Sequence, residues 1–98
     1  MDLLECRNKL DVIDKQIVKL FEERMDICGK VAETKIATGK AVYDAEREKQ
    51  KLEAVSAMAG SDFNQIAVRE LFSQMMSISR KYQYSILAEH GRSAKLGF

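Results

Sequence analysis

The sequence predicts an all-α fold, and three observations carry that prediction. Proline is absent from its 98 residues, charged residues make up 32% beside 46% hydrophobic ones, and apolar positions recur at helical spacing along most of the chain. Proline breaks helix interiors, so its absence leaves long helices uninterrupted. A charged and apolar mixture repeating every three to four residues describes amphipathic helices, whereas strands would alternate.

From Leu3 the apolar positions fall at 3, 6, 10, 13, 17 and 20, then at 27 and 31, with one interruption at Arg24. This spacing predicts a first helix from Leu3 to about Ala37, stopped by Thr38-Gly39, where Gly39 suits a helix C-terminus. Lys40 to Tyr43 read as a short connection. Asp44 reads as the N-cap of a second helix reaching about Ala59, ended by Gly60-Ser61. Asp62, with Gln65 three residues on, resembles a capping box and opens a third helix to about Glu89, before Gly91. These boundaries place one domain over 1–90 and a short basic tail or linker start over 91–98.

A first helix of that size is roughly 50 Å long at about 1.5 Å per residue, far more than a domain with a radius of gyration of about 13 Å can cover. Its seams, Leu10/Ile13/Ile17/Leu20 and the adjacent Val18/Phe21 side, need apolar partners along their whole length. Two shorter helices of the same chain cover only part of them. The expected remedy is an antiparallel or intertwined twofold homodimer in which long helices pack on each other.

Sixteen basic and fifteen acidic residues give a net charge of +1, which excludes a general electrostatic footprint for nucleic acid or an anionic membrane. Any positive site must be local. Cys6 and Cys28 lack the spacing of a zinc site or the density of a disulfide scaffold and read as reduced thiols. The charged N-terminus lacks the apolar run of a signal peptide, so the expected location is cytoplasmic.

Several polar residues fall where the apolar pattern points inward. Arg24 lies seven residues beyond Ile17 and seven before Val31, and Cys28 and Lys35 continue that stripe. A buried, unpaired charge costs several kcal/mol in practice, so each cation either snorkels at the edge of the stripe or meets a carboxylate, from the protein or from a ligand. Arg7 is either a solvated arginine or, in a dimer of long antiparallel helices, a visitor to the neighbour's site. Glu48 heads the stripe Glu48/Leu52/Val55/Ala59; the helix dipole favours an acid there, and an inward carboxylate also suits a ligand hydroxyl. On the third helix, the stripe Val68/Phe72/Met75/Ser79/Gln83/Ile86 turns Ser79 and Gln83 toward the core, either for an interhelical hydrogen bond or for a ligand. His90 lies near the helix end and reads as solvated. The sequence shows no nucleophile and base pair, no metal cluster and no phosphate-cradling glycine loop. The set suits anion binding and hydrogen-bond donation without proton transfer, and it calls for no cofactor or metal.

The ordered run Arg7 to Asp14, Glu23-Arg24, Lys35, Asp44-Ala45-Glu46-Arg47-Glu48 and Ser79-Arg80-Lys81-Tyr82-Gln83 resembles the all-helical class (type II) of chorismate mutases, over about residues 3–90. That resemblance implies three helices per subunit, an intertwined dimer and two sites, each receiving an arginine from the partner's first helix. It also implies a Claisen rearrangement of chorismate to prephenate, in phenylalanine and tyrosine biosynthesis. In that reaction an ether C–O bond breaks as a C–C bond forms within one dicarboxylate molecule, and negative charge grows on the ether oxygen. Conformational restraint and fixed donors accelerate such a step.

By the same resemblance, Arg24 and the other subunit's Arg7 grip the carboxylates, while Lys35 and Gln83 donate to the ether oxygen. Glu48 and the backbone around Asp44 receive the ring hydroxyl, Arg47 orders the loop and nearby carboxylates, and Ser79 assists a carboxylate. Relatives of this class are often fused ahead of another pathway enzyme such as prephenate dehydratase. Two alternatives remain: an isochorismate pyruvate-lyase on the same fold, against which the Asp44-x-x-Arg47-Glu48 segment argues, and a non-catalytic helical dimerisation module, in which Arg24 and Lys35 would pair internally.

Overall fold

Among the described residues, three helices occur in the order α1 (Leu3–Thr38), α2 (Ala45–Met58) and α3 (Asp62–Lys95). The computed structural model describes residues 1–95, with side chains as far as residue 91. The all-α expectation is met.

Each helix end has a local cause. Asp2, which the periodicity did not single out, caps α1 by accepting from the Glu5 backbone N–H at 2.8 Å. At the other end Gly39 takes φ 70°, its N–H bonds to the Ile36 carbonyl, and the Lys40 N–H reaches back to the Lys35 carbonyl at 2.9 Å. This six-to-one and five-to-two pair is a Schellman motif, which requires a left-handed residue where a side chain is strained. Gly39→Ala should therefore lower stability by about 1 kcal/mol, read as a shifted urea midpoint with an unchanged slope. Asp44 caps α2 as expected, its Oδ1 accepting from the Arg47 N–H at 3.0 Å.

The third helix departs from expectation at both ends. Ser61, one residue before Asp62, supplies the N-cap: its Oγ accepts from the Asn64 N–H at 3.1 Å, while the Gln65 amide donates to the Ala59 carbonyl instead of closing a capping box. Serine and aspartate cap comparably; here the Gln65 N–H also bonds to the Ser61 carbonyl at 2.9 Å, and the buried Ser56 hydroxyl donates to the Gln65 carbonyl, tying α2 to α3. At the far end α3 runs through Gly91 to Lys95. A single exposed glycine costs a helix only about 1 kcal/mol relative to alanine, and no proline follows to enforce a stop. Residues 91–95 of the expected tail are thus helical, and 96–98 lie outside the described residues. His90 is exposed, as expected.

The molecule measures 61 × 29 × 14 Å with a radius of gyration of 17.6 Å, well above the roughly 13 Å of a compact domain of this size. Helix α3 packs against both α1 and α2, which do not touch each other. On α1 only Gly29 and Ala32 are buried, small residues that let α3 come close. The N-terminal half of α1 is bare: Leu10 is 56% exposed, Ile17 58% and Leu20 63%. The predicted apolar seams exist and a single chain leaves them uncovered. Both cysteines are free and half-buried.

Candidate active site

The cleft of interest lies where the C-terminal half of α1, the loop of residues 39–44, the start of α2 and the middle of α3 converge. Helical spacing explains its walls. Arg24, Cys28, Val31 and Lys35 step by three or four along one face of α1. On α3, Ser79 and Arg80 lie side by side, each three or four residues from Met76 and from Gln83. Asp44, Arg47, Glu48 and Lys51 complete it from α2 and its cap.

On the α1 side, half-buried Arg24 donates from Nη1 to Ser79 Oγ at 3.1 Å, with Cys28 Sγ at 3.9 Å. Ser79, only 4% exposed, in turn donates to the Met75 carbonyl at 2.9 Å. The serine thereby spends its one proton on its own helix and presents its oxygen to the guanidinium. Lys35 Nζ donates to the Val42 carbonyl of the loop at 2.7 Å. An ammonium has three donors, so this bond fixes the group and leaves two for a ligand. Neither cation forms an ion pair with a carboxylate among the described residues.

Gln83 is 8% exposed and its Oε1 is buried without a hydrogen-bond partner. Such an atom costs about 1–3 kcal/mol. Across the cleft Glu48 forms an ion pair with Arg80, both side chains about a quarter exposed. The Arg80 guanidinium also lies over the Tyr43 ring, 4.9 Å from its centroid. The hydrogen bond to Glu48 holds the Arg80 guanidinium above its ordinary range despite an opposing contribution from burial.

Seven of the eight residues singled out from the sequence therefore line one cleft: Arg24, Lys35, Asp44, Arg47, Glu48, Ser79 and Gln83. Arg7 does not. It is exposed, and seventeen residues of helix put it about 25 Å along α1 from Arg24. Glu48 is held by Arg80, whereas exposed Arg47 contributes its backbone N–H to the Asp44 cap. Sequence reasoning missed Arg80 and Lys51. Their one signal is spacing, Arg80 three before Gln83 and Lys51 three after Glu48.

Five cations, Arg24, Lys35, Arg47, Lys51 and Arg80, face two carboxylates, Asp44 and Glu48, a local excess of three on a chain whose net charge is +1. A low-dielectric cleft with this balance concentrates small anions. No group of three or more metal-ligating side chains occurs among the described residues, nor is any of these helices long and apolar enough to cross a membrane.

The chain matches the family model for chorismate mutase type II over residues 6–84. It is 33% identical over 96 residues to the bifunctional chorismate mutase/prephenate dehydratase of Buchnera aphidicola subsp. Acyrthosiphon pisum, a match covering 96% of this chain and 25% of that protein. The protein of the same description from Enterobacter agglomerans is 30% identical over 103 residues, covering 98% of this chain and 26% of its own. A chorismate mutase of Methanocaldococcus jannaschii is 47% identical over 47 residues, 48% of each chain. The chain thus spans about a quarter of the length of the bifunctional relatives it matches.

Proposed function

We propose that this chain, which belongs to the chorismate mutase type II family, rearranges chorismate to prephenate as a cytoplasmic homodimer, with one site in each subunit's cleft. The observation that carries this reading is the pair Arg24 and Lys35, two cations without carboxylate partners on the wall of a cleft whose buried polar residues are Ser79 and Gln83.

Arg24, anchored on Ser79, takes one substrate carboxylate as a planar fork. Arg7 of a second copy takes the other, which accounts for an arginine that lies too far along α1 to serve its own cleft. The bare seam of α1 is the surface on which that second copy packs. Lys35 and the Gln83 amide aim donors at the ether oxygen, where charge develops as the C–O bond stretches. In a sheltered site such donors stabilise the transition state more than the ground state. Glu48 and the Asp44 backbone receive the ring hydroxyl, and Arg47 borders the carboxylates. No proton moves, so no titrating base is needed.

The test is direct: purified protein given chorismate should form prephenate, and absence of product sinks the reading. An amide donates at any ordinary pH, whereas a carboxyl donates only when protonated. The wild-type rate should accordingly change little between mildly acidic and neutral pH. Gln83→Glu should convert this flat profile into one that falls steeply toward neutrality. A flat profile in the variant would remove Gln83 from the ether oxygen.

A further inference from the structure

The mutase reading leaves two cations of the cleft, Lys51 and Arg80, without a task. We infer that Arg80 is a positioning residue: it tethers one oxygen of Glu48 and clamps the loop that carries Lys35's acceptor, so that the other oxygen of Glu48 meets the substrate hydroxyl. This inference rests on the mutase reading and deepens it.

Three contacts support it. Arg80 Nη1 holds Glu48 Oε1 across the interface between α3 and α2. The same guanidinium lies over the ring of Tyr43, in the loop between α1 and α2. Next to Tyr43, Val42 is 8% exposed and its carbonyl receives Lys35 Nζ. One side chain of α3 therefore steadies the hydroxyl acceptor on α2 and, through a two-residue stretch of loop, the ammonium on α1, two helices that do not touch each other.

Arginine suits this double task. Its planar fork donates in the plane while its face stacks on an aromatic ring, and a lysine ammonium cannot do both from one position. Glu48 needs the tether because a free glutamate samples several rotamers, each aiming its oxygens elsewhere. Fixing one oxygen orients the other before the ligand arrives, which removes an ordering cost from the reacting complex.

The rival role for Arg80 is direct capture of a substrate carboxylate, and a mutant cycle separates the two. Prephenate formation would be measured for wild type, Arg80→Met, Glu48→Gln and the double variant, with a thermal melt of each. Arg80→Met keeps the aliphatic stem and should lower kcat/KM by up to about a hundredfold. In the Glu48→Gln background the same change should cost at least about fivefold less, what remains being its hold on Lys35 through Tyr43, and Arg80→Lys should restore only part of the loss. Losses that simply add across the cycle would overturn the inference, as would an Arg80→Met enzyme of wild-type rate. If Arg80→Met does not fold, Arg80→Lys runs the same cycle under the same criterion. A wild-type chain that makes no prephenate overturns the parent reading and this inference together, whereas an active wild type with additive variants overturns this inference alone.

Discussion

Replacing Lys35 with alanine should lower kcat at least about a hundred- to a thousandfold, the usual effect of losing one preorganised donor to a developing oxyanion. The backbone has little reason to change. Alanine is the strongest helix former, and Lys35's carbonyl stays tied to the Lys40 N–H in the motif that ends α1. What disappears is an ammonium held at 2.7 Å from the Val42 carbonyl, with two donors left to follow the breaking ether bond. Because that charge exists mainly in the transition state, the loss should appear in kcat more than in KM. Initial rates across a chorismate titration, with a melt to verify the fold, check this. A turnover within a few-fold of wild type would take Lys35 out of the chemistry.

Mixing two inactive variants should restore activity. Arg7→Ala removes a carboxylate clamp and should cost at least about 2 kcal/mol, or roughly thirtyfold in kcat/KM. Lys35→Ala is inactive for the different reason given above. In a twofold dimer where each cleft combines one chain's Arg24 and Lys35 with the other chain's Arg7, a mixed dimer has one intact site and one doubly damaged site. Unfolding and refolding an equal mixture should pair the chains at random and return about a quarter of the wild-type rate. If Arg7 acts within its own chain or not at all, the mixture stays at the average of its components. The experiment thus tests the assembly and the shared site together.

The helices were legible because each rests on local chemistry: the three-and-four spacing of α1, the left-handed Gly39 and the Asp44 cap. The ends of α3 were not, since Ser61 and Asp62 are near-equal caps and Gly91 is too mild a breaker to stop a helix alone. Arg24, Lys35, Ser79 and Gln83 were legible for one reason: each puts a polar group where the period demands an apolar one. Arg80 and Lys51 sit on helix flanks, where a charged residue is the ordinary choice. Only the packing of α2 on α3 turns that flank into the wall of a cleft. Arg7 is a third case, because its proposed task depends on a second chain, and neither the spacing of α1 nor the fold of one subunit brings it to a ligand.

Among the described residues the buried side chains are those of Ala32, Val42, Val55, Met76, Ser56, Ser79 and Gln83. Two of them, Ser79 and Gln83, belong to the proposed site. In many enzymes chemistry sits on loops that vary while a separate apolar interior guards the fold; on the proposed reading, interior and reactive centre here share the same side chains. Evolution of this protein is constrained accordingly. A substitution such as Gln83→Leu, which would relieve an unpaired amide and tighten the packing, gains durability by giving up turnover, the trade seen where activity occupies a strained position.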